Sequence, residues 1–168
     1  MKREIQKILG YIWIERSYYL SNKNLKNIHS ELQSIFSDNS LDVNLSGEFK
    51  AGNTDKFVVT PKWSFFVFKG GEQDVAYLNG AIKTTIDNKT IIEIKVRPNI
   101  FFPLFSLIIL ASNFDGKLQG TEDVLAQSTI TIIIPIALLT LSYYLKKSLK
   151  DRFVKKLNLN LTYDQFDE

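Results

Sequence analysis

His29, in "KNIHSEL", is the only histidine of the chain, and helical spacing puts it on or beside an apolar stripe. A structural zinc site needs four strong ligands. With no cysteine in the sequence and no carboxylate spaced to converge on it, His29 does not make one. As a general base it would need a nucleophile or substrate pocket within reach, so His29 reads as a half-buried structural residue. "KGGEQD" (69–74) pairs glycines beside charge, yet it lacks the Lys-Ser/Thr of a phosphate loop and precedes a strand rather than a helix. Glu48, Glu72, Asp74 and Glu93 show no spacing that makes a paired acid/base site, and strand alternation makes Glu48 and Glu93 solvated positions. The triplets at Asn44, Asn88 and Asn160 match glycosylation sequons, a pattern that recurs by chance in Asn/Ser/Thr-rich sequence. No catalytic, metal or cofactor set emerges, so the expected function is non-enzymatic.

Two clusters point to binding instead. Trp63, Phe65, Phe66 and Phe68 crowd bulky groups onto both faces of "WSFFVF", more than a half-exposed strand requires. Core packing accounts for one face; an interface with lipid, a protein partner or a second copy is the candidate use of the other. Lys146, Lys147, Lys150 and Arg152 follow directly on an apolar run and are candidate contacts to lipid head groups.

The elements that position these clusters are set by two uncharged stretches, 98–114 and 124–145. At about 1.5 Å per residue the second reaches roughly 33 Å and the first about 25 Å, against a bilayer hydrocarbon core of about 30 Å. A helix buried in a water-soluble core should keep a polar stripe. From Ile130 to Leu145 the polar atoms are hydroxyls only, and Ser and Thr hydroxyls can bond back to their own helix. Pro103 and Pro135 argue against central strands and are tolerated in membrane helices. A transmembrane helical hairpin over 98–145 is therefore predicted, with its loop at 115–123. Basic residues flank the spans while the loop is acidic apart from Lys117. The excess of Lys and Arg at the flanks places both termini in the cytoplasm and the loop outside. Neither run contains an ionisable Asp, Glu, Lys, Arg or His, which removes the usual marker of an ion pathway.

Residues 1–97 read as a cytoplasmic α+β domain. "YIWIERSYYL" (11–20) alternates as a strand. "SNKN" (21–24) offers a helix N-cap, and Leu25, Ile28, Leu32, Ile35 and Phe36 form one stripe of the helix that follows. Strand patterns at 44–51, 56–60, 63–68, 75–86 and 90–96 predict a small antiparallel sheet, arranged as a meander with one covering helix. The last strand runs straight into the first span, so the sheet must sit against the membrane surface. After the second span, 146–168 comprises a basic helix, with Leu149, Phe153, Val154 and Leu157 at helical spacing, and an acidic tail. That helix either continues the span or lies on anionic lipid. Net charge is +3, from 21 Lys and Arg against 18 Asp and Glu; this mild excess, without an RNA-binding or zinc-finger signature, implies no nucleic-acid partner. Glu4 and Glu15 interrupt the basic N-terminus and no apolar core follows, which argues against a cleaved signal peptide.

The order of these features, with "GEFKAGNTDKFVVTP", a later "LNGAI", and "KTIIEIKVRPN" entering two apolar runs, resembles a widespread family of small uncharacterised bacterial inner-membrane proteins over residues 11 to 157 or so. The resemblance implies architecture and an inner-membrane setting, and it carries no catalytic residue across. The expectation is an integral membrane protein with two spans, holding a binding or scaffold module against the inner leaflet. Its partners would be the lipid bilayer, an unidentified membrane or cytoplasmic protein, or a second copy of itself. The alternative is a subunit of an oligomeric transporter or channel, for which Ser106, Ala111, Ser128, Thr131 and Ala137 offer small packing surfaces.

Overall fold

A computed structural model of the chain describes residues 13–38, 44–63, 74–84, 90–114 and 132–161. Strand β1 (Glu15–Ser21) leads to helix α1 (Leu25–Ser37), then β2 (Ser46–Lys50), β3 (Asn53–Thr60), β4 (Ala76–Thr84) and β5 (Thr90–Pro98). Helix α2 (Phe101–Phe114), helix α3 (Ile134–Leu157) and the short β6 (Asn160–Leu161) complete the order. The class is α+β; the described residues form one six-stranded sheet ordered β2-β3-β4-β5-β1-β6, with every pairing among them antiparallel.

Local chemistry explains the boundaries. The Asn24 side chain accepts from the Asn27 N–H at 2.9 Å and starts α1, whose Ile28, Leu32 and Ile35 are buried at helical spacing. Ala51 and Gly52 turn β2 into β3, with Gly52 at φ 73° where a side chain would be strained. Asn158, at φ 52°, ends α3 in a left-handed cap: its N–H reaches the Lys155 carbonyl, and the Leu159 N–H reaches that of Val154.

Two features differ from the sequence expectation of a meander under one helix. Strands β2 to β5 do form a meander, but β1 lies beside β5 over its whole length, Glu15 opposite Val96 through Ser21 opposite Thr90. The sheet is also covered by two helices, α1 and the C-terminal half of α3. The Leu149, Phe153 and Leu157 stripe of α3 is buried in the same core as Phe57, Leu78, Ile92 and Ile94. Phe153 stacks on Phe57 at 5.6 Å, and Phe57 lies so close over Gly80 that a Cβ there would fall 1.9 Å from its ring. An apolar stripe on a basic helix can face lipid or a sheet; here the aromatic contact takes it to the sheet. The basic segment after Leu145 is thus a direct continuation of the apolar one.

Helix α2 packs along the N-terminal half of α3, so the two apolar segments form a helical pair. The first is helical over Phe101–Phe114; the second is helical from Ile134. Among the described residues no helix is long and apolar enough to cross a membrane. Residues 115–131, with the predicted loop and the start of the second predicted span, lie outside the described residues.

Candidate functional site

The sheet has one covered and one open face. In β3, β4 and β5 the residues alternate with those of the core, so Lys56, Asn79, Ala81, Lys83, Glu93, Lys95 and Arg97 share the open side. The small side chain of Ala81 between long neighbours leaves a groove of about 600 Å³, lined by five cationic side chains (Lys50, Lys56, Lys83, Lys95, Arg97) and one carboxylate, Glu93. Glu93 is the floor of this field. Lys83 lies 3.1 Å away, Lys95 3.2 Å and Arg16 3.5 Å, and only 10% of the Glu93 side chain is exposed. It is therefore not the solvated strand position that alternation implied: three cations close over it. Burial alone would raise its carboxyl, but the hydrogen bonds and charges of Lys83 and Lys95 outweigh that and hold it below the ordinary value.

The groove runs toward one end of the sheet. Tyr77 faces Arg97 across the β4–β5 ladder, Ala76 faces Pro98, and Glu15 faces Val96, so Trp13, Ile14 and Arg97 gather at the end where α2 begins. The Arg97 guanidinium lies over the Tyr77 ring at 4.6 Å. The junction to α2 is tied by Asn99, which is buried. Its N–H donates to the Val75 carbonyl, its amide donates to that of Asp74, and its side-chain oxygen accepts from the Phe101 N–H at 2.9 Å. One residue thus closes the sheet and caps the helix, and leaves no slack between them.

Beyond that junction the surface turns apolar. Phe102, Pro103 and Ser106 are buried on α2, and the Ser106 hydroxyl donates to the Phe102 carbonyl at 2.7 Å, satisfying it within the helix. The outward residues are large: Leu104, Phe105, Leu107 and Ile108 on α2, Ile133 and Ile136 on the α3 side. Ser142 is buried on α3, and such small residues let paired helices approach closely.

The predicted head-group cations divide sharply. Lys146 is fully buried with its ammonium 3.8 Å from Glu15, and Lys150 forms a short ion pair with the same carboxylate. Burial pushes the Lys146 amine down, with Glu15 opposing. Lys150 is raised despite its burial, because Glu15 and then Tyr19 stabilise its charge. These two lysines fasten α3 to β1. Arg152 donates to the Ser148 hydroxyl on its own helix, and Lys147 is exposed. Trp63 is half exposed and its backbone is clasped by Asn44, which accepts from its N–H at 2.9 Å and donates to its carbonyl at 3.1 Å. Phe65, Phe66 and Phe68 lie outside the described residues. His29 contacts the Thr54 carbonyl at 3.0 Å and meets Phe49 edge-on, bracing the β2–β3 turn against α1. Among the described residues no group of acidic, His or Cys side chains is placed to hold a metal.

The basic groove was not singled out from sequence. Its signal was the alternation Glu93-x-Lys95-x-Arg97 in one strand and Lys50 and Lys83 near the ends of two others, whose convergence depends on which strands are neighbours. No family model, curated protein or solved structure matches the chain, so the family resemblance rests on the residues quoted for it.

Proposed function

We propose that the chain is a non-enzymatic integral protein of the bacterial inner membrane, in which a two-helix hairpin holds a small α+β binding module against the cytoplasmic leaflet. The observation that carries this reading is the apolar exterior of the described α2–α3 pair, where Leu104, Phe105, Leu107, Ile108, Ile133 and Ile136 all face outward. In water, so large an exposed apolar surface is unfavourable at about 25 cal/mol per Å²; in acyl chains it is matched. At about 1.5 Å per residue α2 reaches about 21 Å and the apolar half of α3, from Ile134 to Leu145, about 18 Å. The uncharged sequence continues to Val124 on the second side, which supports a full span over 124–145, while the first segment enters the membrane as the shorter helix Phe101–Phe114. Tyr143 and Tyr144, with Tyr144 63% exposed, stand where an interfacial aromatic belt belongs.

The test is fractionation and topology. The protein should stay with membranes through an alkaline wash and leave them only with detergent; a monodisperse product in the supernatant without detergent overturns the reading. Because the chain has no cysteine, a Lys117→Cys variant reports the loop: an impermeant maleimide should label it from outside, while Lys155→Cys should be labelled only after lysis.

A second reading, a subunit of an oligomeric transporter or channel, draws on an apolar hollow of about 500 Å³ on the outer side of α3, between Ile133, Ile136, Ala137, Thr140, Leu141 and Tyr144. A neighbouring helix would fit there. Solute flux in liposomes holding this protein alone would favour that reading.

A further inference from the structure

The open basic face and the apolar hairpin meet at one residue. Arg97 lines the groove of the sheet and also a small hollow of about 30 Å³ formed with Trp13, Pro98, Ile100 and Pro103 at the foot of α2. On the groove side it lies beside Lys95 and the half-exposed Ile14; on the helix side it shares the hollow with Ile100, nearly half exposed, and the similarly exposed Phe101 follows Ile100 in the chain. Polar and cationic ground therefore gives way to apolar ground across a single side chain.

From this continuity, and resting on the membrane reading above, we propose that the hairpin end of the groove binds one anionic phospholipid of the adjoining leaflet. Its phosphate sits between Lys95 and Arg97, and its acyl chains descend over Ile100 and Phe101. The local charge favours an anion: among the described residues Lys95 and Arg97 stand at this end beside the single carboxylate Glu93, which Lys83 and Arg16 also neutralise. Stacking on Tyr77 fixes where the Arg97 charge is presented. The apolar end favours a lipid over a water-soluble anion, which would gain nothing from Ile14, Ile100 or the hollow. The continuous α3 gives the same placement. Its lower half lies under the sheet and its upper half packs on α2, so the strands extend the hairpin away from the bilayer, and the end of the open face carrying Arg97 is the one at head-group depth. At about 3.4 Å per residue, Lys83 and Lys50 stand more than about 10 Å farther up the strands, and Lys56, level with Glu93, stands about 7 Å up from Lys95 and two strands across.

The two tryptophans of the chain make this testable on the full-length protein in nanodiscs. In a Trp63→Phe variant, Trp13 is the single reporter beside the site. Brominated phosphatidylglycerol, doped into a phosphatidylcholine disc, should quench it several-fold more than brominated phosphatidylcholine at the same fraction. Lys95→Gln with Arg97→Gln should erase that preference, whereas Arg97→Lys, which keeps the charge, and Lys50→Gln with Lys56→Gln should retain it. In a Trp13→Phe variant, Trp63, on the far side of β4 and β5, should be quenched equally by both lipids. Equal quenching of Trp13 overturns the lipid site and leaves the face to a water-soluble anion, with the hairpin reading intact. A preference that survives the Lys95 and Arg97 double substitution also overturns it. Quenching by neither lipid defeats the membrane reading and the site together.

Discussion

From Ile134 to Leu145 helix α3 presents Ile136, Thr140 and Tyr144 outward and has no charged side chain, whereas from Lys146 to Leu157 it buries Leu149, Phe153 and Leu157 and turns Lys147, Asp151, Lys155 and Lys156 to solvent. The backbone is continuous, and only the side-chain pattern changes. In the lower half the apolar residues fall on one stripe, which the sheet covers, as an amphipathic helix in water requires. In the upper half they go all round, and α2 covers one side of them. A single rigid rod therefore carries two rules of burial, and the exchange of rule falls at Lys146, inside the protein and paired to Glu15. The length of a helix says little about its surroundings; the angular spread of its apolar residues says more.

The largest expected effect lies in the lower half. Phe153 is fully buried against Phe57, so Phe153→Ala should cost about 3–5 kcal/mol of stability, a large part of the total for a small domain. Chemical denaturation in detergent measures it. Ile136→Ala, on the exposed side of the upper half, should change stability by only about 0.5 kcal/mol. A loss at Ile136 as large as that at Phe153 would mean that the upper half is also protein core, and the comparison would fail.

Charge sharpens the same contrast. Ile136→Lys should weaken membrane insertion by about 3 kcal/mol, seen as a fall in the fraction that resists alkaline extraction. If water surrounds this half instead, the same substitution should raise soluble yield without loss of melting temperature.

The boundary between the halves comes next. Glu15→Gln removes the carboxylate that pairs with buried Lys146 and with Lys150. The loss should be about 2 kcal/mol, below the roughly 3–5 kcal/mol of a fully enclosed pair because Glu15 is partly exposed. Adding Lys146→Met should recover most of it, since replacing a buried ion by an apolar side chain of similar length is often neutral or better. Failure of that rescue would show that the joint depends on the amine itself.

Patterns that repeat within one element were legible from residues alone. The Asn24 cap, the Ile28-Leu32-Ile35 stripe and the alternation of Ile92, Ile94 and Val96 each depend on neighbours a few positions away. The placement of β1 beside β5 joins residues some eighty positions apart, and no local period encodes it. The same limit hid the groove: Lys56, Lys83 and Lys95 lie on three different strands, and nothing local joins them until those strands become neighbours. Glu93 read as exposed because alternation gives the face of the sheet and not the cations that fold over it. Lys146 read as a lipid contact because it follows an apolar run; its burial comes from Glu15 on a strand at the other end of the chain.

The smallest effect separates the regions by pH. Glu93 has its carboxyl held down by Lys83 and Lys95, so it stabilises the fold fully above the ordinary glutamate value of about 4.3. That contribution is lost as pH falls through the lowered value in the folded state. Since Lys83, Lys95 and Arg16 are each about half exposed, solvent limits it to about 1 kcal/mol. The wild type should therefore exceed Glu93→Gln in thermal stability at neutral pH, and the gap should close on acidification below pH of about 4. The upper half of α3 has no carboxylate, so membrane retention of both proteins should stay unchanged through the same titration. A gap that persists in acid would mean that Glu93 acts through shape rather than charge, and a coupled loss of retention would show that the sheet and the hairpin titrate as one unit.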